Sequence, residues 1–539
     1  MMVRGRAVRM TLAAMAAASM IVPLAACGSA DAGKTTVDGK PIVKILVVQG
    51  TPQLPVKDMQ WAKDLEKESG AKIEWKTVLD SAWSQQKNAS IAANDIADLN
   101  IRAYRPEDAA QNPEAFEDFL ADLDKLPNVK AFFDAKPTAK KYVDVDGKMY
   151  TLPSDRGKAF AASGQHMLIN KQWLDKLGLD VPITWDELTQ VFEAFKTQDP
   201  NGNGKADEIP MNLAPLPAES LGGWSNPFLF LNSTGIVTHY NSGPSQQGYY
   251  VKDGKVGNVM QTDQFRQVLD YLASLKKAGL VPSDWVTASS DVYRSRNKVG
   301  GSAAQVGAIF GWDQSGFGNI GSELANQYIS IPVPSAPGVS ADETVWDASG
   351  ISGANEFEDY HMSMSSKAAN KEACLKIIDL LYSEKYSVQQ MWGSFGTYLK
   401  QTGDHSYALT DAMKKAQDDQ KVPALEDRLA GWIPDEVTAE GDRNADSISA
   451  VDKANDEQYR NIGGEKNYFP IYVRLTVDEQ NTVTNNNTTI LSTVLPLIAK
   501  MAQNGVDDAS WNTLQSQLES LNLQQNIDIW QKAYDKVVK

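Results

Sequence analysis

Residues 41–50 read PIVKILVVQG and residues 71–79 read AKIEWKTVL, with VKDMQWAKDLEKESG (56–70) between them. The first run is apolar and β-branched and stops at Gly50, so it reads as a strand. The middle run has helical spacing and closes on Gly70. The second run is again a strand. DSAWSQQKNASIAAN (80–94) continues as a helix and IADLNIRAY (96–104) as a third strand. Strands alternating with helices predict an α/β fold whose sheet is mostly parallel and flanked by helices.

The pattern becomes richer in helix further along. TWDELTQVFEAFKTQ (184–198) places Trp185, Leu188, Phe192 and Phe195 on one stripe, and Thr184 and Glu187 have capping-box spacing. TDQFRQVLDYLASLKKAGL (262–280) is a second amphipathic helix. QVGAIFGW (305–312) and YISIPVPSAPG (328–338) read as strands, and residues 361–392 as a strand followed by helix. The tail is expected to be helical from about Thr488, after a polar loop NTVTNNNTT (481–489). Length alone points to two or three domains.

The N-terminus predicts a compartment. Arg4, Arg6 and Arg9 precede the short apolar stretch TLAAMAAASMIVPLAAC, which has the form of a signal peptide over 1–26. Leu24-Ala25-Ala26-Cys27 resembles a bacterial lipobox, which implies acylation of Cys27 and a tether over 27–40. No other apolar run approaches the ~20 residues of a membrane span. The expected location is the extracellular face of a bacterial cell membrane, with contact through the lipid alone. The net charge is −16, and loss of three arginines with the signal takes it to −19. That balance argues against nucleic acid as a partner. Cys374, the second of two cysteines, sits on a helical apolar stripe and reads as a buried small hydrophobe.

DPNGNGKADEIP (199–210) has the alternation of a calcium loop. Asp199, Asn201 and Asn203 offer side-chain oxygens at every second position, Gly204 permits the turn, and the Lys205 carbonyl points inward. Asp207 and Glu208 add two carboxylates. An EF-hand has Glu at position twelve; here position twelve is Pro210. The loop follows a packed helix and precedes IPMNL, so the Ca2+ is expected to brace that corner as a structural ion.

Several stretches in fixed order resemble family 1 extracellular solute-binding proteins, the receptor subunits of ABC sugar importers, and most closely their large calcium-containing members. They are VDVDGKMYTLP (143–153), INKQWLDKLGLDVPITWDEL (169–188), the loop at 199–210 with its early acid pair, SMSSKAANKEACLKIIDLLYS (363–383) and WGSFGTY (392–398). The resemblance spans roughly residues 40–400; the tail matches only in length and in IWQKAYDKV (529–537). It implies a two-lobed clamp that closes on a sugar. The first lobe would hold 41–153 with 358–396, and the helix-enriched second lobe 154–357 with 397–539. The implied partners are an oligosaccharide and the permease subunits, with the receptor itself a monomer and not an enzyme; the acidic surface favours a neutral glycan over a uronide.

Sugar rings stack on aromatic planes, and their hydroxyls need bidentate polar groups. Of the 13 tryptophans, Trp61, Trp173, Trp185, Trp511 and Trp530 lie on helical stripes and are assigned to packing. The candidates for ligand contact lie in loops and at strand ends: Asp80 and Trp83 after the second strand, Tyr104 and Arg105 after the third, and Asp155 and Arg156 after the first crossing. Trp224, Trp312 with Asp313, Trp346 with Asp347, and Trp432 complete the set. GFGNIG (316–321) fits a dinucleotide fingerprint but lacks a following helix and reads as a glycine-rich loop near the cleft. The four histidines have no zinc spacing. Two rivals remain: a glycoside hydrolase, which needs one carboxylate pair among 68 acids, and a peptide- or metal-binding receptor on the same architecture.

Overall fold

The computed structural model describes residues 35–538 apart from 51–52, 162–163, 240–242, 300–302, 350–356 and 460–463. The signal segment and Cys27 lie outside the described residues. The strand Lys40–Gln49 is central to the first sheet. Lys72–Leu79 pairs with it in parallel over eight residues, and Leu99–Ile101 pairs on its other side, also in parallel. Phe357–Met364 then runs antiparallel, followed by Thr151–Asp155 in the original direction. Only one long strand therefore opposes the rest. The intervening helix Gln60–Ser69 ends on Gly70 at φ 75°, a left-handed stop that glycine adopts without strain. Thr36–Val37 folds back on Lys40 and Pro41 as a hairpin. Its turn residues Asp38 and Gly39 both have positive φ, as a tight hairpin requires. The tether expected over 27–40 is therefore too long at its end: residues 36–40 belong to the folded body.

The second sheet has the order Tyr328–Ile331, His166–Asn170, Val306–Gly311, Ile209–Met211, and only His166–Asn170 runs against the others. Trp185–Thr197 packs on it. Thr184 Oγ accepts from Glu187 N (3.2 Å), while Glu187 Oε2 accepts from Ile183 N (2.8 Å), one residue beyond the reciprocal partner of a capping box. The polar loop expected at 481–489 is instead part of the 28-residue helix Val477–Asn504. Val483, Asn487, Ile490, Leu491 and Val494 form its buried stripe. Asn487 is satisfied inside by Tyr249 Oη (2.9 Å) and Asn526 Nδ2 (3.0 Å). Thr482, Thr488 and Thr489 return their hydroxyls to carbonyls one turn back. Tertiary burial thus overrides a composition that reads as loop.

Each sheet has its own core. Val43, Ile45, Val47, Leu152, Met362 and Ile378 belong to the first, and Cys374 is buried with them. Leu168, Phe192, Phe265, Ile309, Ile490 and Trp530 belong to the second. A third cluster gathers Phe160, Trp392, Leu399, Tyr407, Met413 and Ile433 under a three-stranded sheet of Leu399–Gly403, Ser406–Leu409 and Thr438–Glu440. Much of the segment expected in the second lobe from residue 397 therefore forms a separate unit at the junction, and Leu425 and Ala430 pack into the first core. The chain crosses between the sheets after Asp155 and returns at Phe357. Among the described residues no helix is long and apolar enough to cross a membrane.

Candidate functional site

A cavity of about 1020 Å³ lies where the two sheets and the junction unit meet. The first lobe supplies Arg102, Arg105 and Glu107 from the loop and helix after Leu99–Ile101, and Phe357 to Tyr360 from the antiparallel strand. A regular strand sends successive side chains to opposite faces. Here the pairing register shifts between Glu358 and Met362, which breaks the alternation and lets Glu358, Asp359 and Tyr360 all reach the cavity. The second lobe supplies Trp224, Gln246, Trp312, Asp313 and Ser315, and the junction supplies Arg156, Glu426, Asp427 and Asn444.

Charges at the first-lobe wall are paired. Arg102 lies 3.5 Å from Glu358 and 3.6 Å from Asp80. Arg105 lies 3.7 Å from Asp359 and covers the Tyr360 ring at 4.1 Å. Arg474 binds Glu107 (2.7 Å) and Asp359 (3.0 Å). Burial opposes the Glu358 charge, but His361 at 3.0 Å with Arg102 and Arg156 holds its carboxyl well below the usual range. Burial and neighbouring Glu107 push Asp359 up, against Arg474 and Arg105, while Arg474 keeps Glu107 low. Burial beside Asp427 pushes Glu426 up to about 7. A raised carboxyl binds more protons in the folded state, so its contribution to stability grows as pH falls from about 7 towards 4.5. Glu426→Gln is therefore expected to stabilise the protein at pH 8, with the gain vanishing near pH 5. Urea midpoints at the two pH values check this.

The aromatic wall is a tryptophan pair. Trp224 is 58% exposed, and Trp312 is half-buried. Their ring centroids lie 6.0 Å apart at 67°. The Arg156 guanidinium sits 5.8 Å from the Trp312 ring and 4.9 Å from Phe160. Asp313 lines the cavity but also accepts from Ser315 N (2.9 Å), which starts the turn Gln314–Phe317.

Of the residues expected to touch ligand, Arg105, Arg156, Trp224, Trp312 and Asp313 line this cavity together. The others do not. Trp83 is not in a loop: it lies in the helix Asp80–Ala92, donates to Ala103 O (2.7 Å) and packs edge-on against buried Tyr104. Tyr104 Oη meets Ser90 Oγ. Asp80 pairs with Arg428 and Arg102 outside the cavity lining. Asp155 is buried against Gly157 N (2.6 Å) and Lys136 (3.7 Å). Trp432 stacks on Phe132 in the first core. Trp346 and Asp347 are fully buried: Trp346 donates to Ile331 O (2.6 Å), and Asp347 accepts from Ser349. These side chains are taken up by core rings, backbone groups and ion pairs outside the cavity lining. Trp346→Phe orphans the buried Ile331 carbonyl and is expected to cost about 1–3 kcal/mol in urea unfolding, with ligand affinity unchanged. The five helix-stripe tryptophans are buried as expected.

Sequence reasoning missed Arg102, Glu107, Glu358, Asp359, Tyr360, Glu426, Asp427, Gln246 and Asn444. The run FEDY (357–360), two acids between two aromatics at the start of a strand, was the available signal.

The loop 199–210 turns through Asp199, Gly202 and Gly204, all at positive φ. Asp199 accepts from Asn203 N (3.1 Å) and Gly204 N (3.0 Å), and Asn203 Oδ1 accepts from Lys205 N (2.8 Å). Asp207 accepts from Asn201, Asn203 and Gln305. Both oxygens of Glu208 are buried without a hydrogen-bond partner, and burial with Asp199 and Asp207 nearby pushes its pKa up. An acid rich in unspent oxygens beside two more carboxylates fits a hard cation. Among the described residues no three His, Cys, Asp or Glu side chains converge as a ready ligand set, so the loop's asparagine and carbonyl oxygens would have to complete the shell.

Comparison with known proteins adds four findings. The family model described as bacterial extracellular solute-binding protein matches residues 51–388. An HMO-binding ABC-transporter-associated solute-binding protein from Bifidobacterium longum infantis has a solved structure that superposes with a TM-score of 0.88 at 48% identity, covering 93% of this chain and 100% of that one. The fructooligosaccharide ABC transporter substrate-binding protein FusA of Streptococcus pneumoniae is 26% identical over 493 residues, 88% of this chain and 86% of its own length. The FusA structure in complex with kestose shares the fold at a TM-score of 0.70 and 23% identity.

Proposed function

Because the chain belongs to the bacterial extracellular solute-binding protein family, we propose that it captures a neutral oligosaccharide between its two lobes and delivers it to the permease of an ABC importer. The observation that carries this reading is the Trp224–Trp312 pair standing in a polar cavity of about 1020 Å³ between the lobes. The rings offer apolar planes to sugar CH faces, and the surrounding carboxylates, amides and guanidinium groups match hydroxyls. The two named relatives are an HMO-binding and a fructooligosaccharide-binding protein, which supports a glycan cargo.

The lining supports a neutral cargo. Glu107, Asp313, Glu358, Asp359, Glu426 and Asp427 outnumber three arginines, and Arg102 and Arg105 are already paired with acids. A uronide or other acidic sugar would have to break one of these ion pairs to gain a guanidinium partner there, whereas neutral hydroxyls need not. Capture needs no covalent step. Ligand contacts available only when both lobes meet the sugar shift the population towards the closed form, which is what the permease would recognise. The receptor acts as a monomer, anchored at the extracellular face through acylated Cys27. Mass spectrometry of the membrane-extracted protein, expected to show a lipid-bearing Cys27 as its first residue, tests the anchor.

Calcium in the 199–210 loop braces the corner between Trp185–Thr197 and Ile209–Met211 and takes no part in capture. Asp199, Asn201, Asn203, the Lys205 carbonyl, Asp207 and Glu208 would hold it. Binding to the native state alone stabilises by mass action, about 2.7 kcal/mol at 100 times Kd. Chelation is therefore expected to lower the melting temperature while the folded remainder still binds sugar saturably. Loss of sugar binding at full folding would give the ion a direct role instead.

Thermal-shift assays against neutral oligosaccharides, uronides, simple sugars, peptides and divalent metals test the cargo class. A shift confined to neutral oligosaccharides is the expected result. A shift confined to peptides would favour a peptide receptor on the same architecture.

A further inference from the structure

A second cavity, about 690 Å³, opens in the second lobe between residues 214–218, the segment Ala288–Ser290 at the start of the helix Ser290–Asn297, and the end of the strand Val306–Gly311. Trp224, Trp312 and Ser315 line this pocket and the interlobe cleft alike. The tryptophan pair is thus a shared wall. Beyond it the pocket offers Tyr293, Ser289 and Asn297, a mixture of aromatic, hydroxyl and amide groups suited to a sugar. Each cavity alone is as large as an ordinary small-molecule site, roughly 300–1,000 Å³.

The place of the junction decides its meaning. Gln246, at one part of the cleft, is tied to the Trp224 loop: Leu221 N and Gly222 N donate to Gln246 O at 2.7 and 3.1 Å. Asn444, at another part, stands at the start of the helix Arg443–Tyr459, whose Ser447 Oγ donates to Gln314 Oε1 at 2.6 Å in the turn after Trp312. Ser315 lines the cleft, the second pocket and a further space around Asn444 alike, so three spaces meet at the turn after Trp312. A third space of about 540 Å³ near Asn319, Gln417 and Arg443 has no aromatic lining and no platform for a ring.

We propose that the cargo is a branched neutral oligosaccharide, with its main chain in the interlobe cleft and a side branch passing the Trp224–Trp312 wall into the second-lobe pocket. This rests on the oligosaccharide reading above and names which oligosaccharides that site selects. The branch point lies beside Ser315.

The test uses the mature chain and isothermal titration with matched linear and branched isomers of neutral gluco-, fructo-, galacto-, manno- and N-acetylhexosamine-containing oligosaccharides. Within the class that binds, the branched isomer is expected to bind at least ~10-fold tighter, one decade for the contacts of the extra arm. Ala218 and Ser290 line only the second pocket and are exposed, so Ala218→Trp and Ser290→Trp fill it without entering a core. Each is expected to abolish the preference while leaving the linear isomer within ~2-fold and the melting temperature unchanged. Equal affinities for the two isomers, or a preference that survives both substitutions, overturns the branched assignment and leaves the receptor intact. Failure of every isomer to bind overturns the oligosaccharide reading itself.

Discussion

Replacing Trp224 and Trp312 together with alanine is expected to weaken oligosaccharide binding by about 100- to 1000-fold while leaving the fold unchanged. Anchoring tryptophans in an otherwise polar site each contribute on the order of 2 kcal/mol, and a factor of ten in Kd is about 1.4 kcal/mol. The effect should be confined to binding. Trp224 is 58% exposed, so its truncation opens little core, and Trp312 is only half-buried at the cleft wall. The two rings touch each other, so the single losses need not add to the double one, and the mismatch measures how far they act as one platform. Titration calorimetry with the best sugar, alongside urea unfolding of each variant, separates the two quantities. A double variant that binds like the parent would remove the observation on which the sugar reading rests. A double variant that loses stability as much as affinity would make the pair a structural strut.

Arg474→Ala is expected to cost about 3–5 kcal/mol of stability, the range for stripping one partner from a buried ion cluster. Tyr472 packs in the first core and Val473 in the second, so this short segment straps the lobes together. Arg474 completes the strap from within: its guanidinium meets Glu107 and Asp359 as well as the Tyr142 and Asp144 carbonyls of the first lobe. Alanine leaves Glu107 and Asp359 facing each other without a counter-charge. Asp359 is already pushed up by burial and Glu107, so it is the acid that would take up a proton. The Arg474→Ala protein should therefore recover part of its loss as pH falls from neutral, a dependence weaker in the parent. Lysine at 474 supplies the charge but not the fork that reaches two carboxylates and two carbonyls, so rescue by Arg474→Lys should be partial. Removing partly exposed Arg266, which pairs with exposed Asp508, should change stability far less. Parent-like urea unfolding of Arg474→Ala would show that the strap does not hold the lobes.

The start of the fold was legible because local and tertiary demands agree there. PIVKILVVQG is apolar on both faces, as a central parallel strand must be, and Gly70 closes its helix. The tail failed for the opposite reason. NTVTNNNTT has low intrinsic helix propensity, yet Val483 and Asn487 lie on a stripe that two other elements bury, and no local signal carries that information. The junction unit was hidden because its strands are short and the third, Thr438–Glu440, joins the Leu399–Leu409 hairpin from about thirty residues further along the chain. The site was half legible. Trp224, Trp312, Asp313, Arg105 and Arg156 lie at strand ends and in loops, where α/β sheets present ligand groups. The same rule misplaced Trp346 and Trp432, because a loop tryptophan can turn either into the cleft or into the core, and the sequence does not encode the direction; Trp83 lies instead on the buried side of a helix. The first-lobe acids were missed because they depend on a register shift inside a strand, which only the paired partner reveals.

Isothermal titration of the mature, calcium-loaded chain with the neutral oligosaccharide that gives the largest thermal shift, followed by mass spectrometry of the released glycan, tests capture without catalysis most directly. The expected result is one saturable site per chain, strongly weakened in the tryptophan double variant, with the glycan recovered intact. Absence of saturable binding by every neutral oligosaccharide, or recovery of a cleaved glycan, would contradict it.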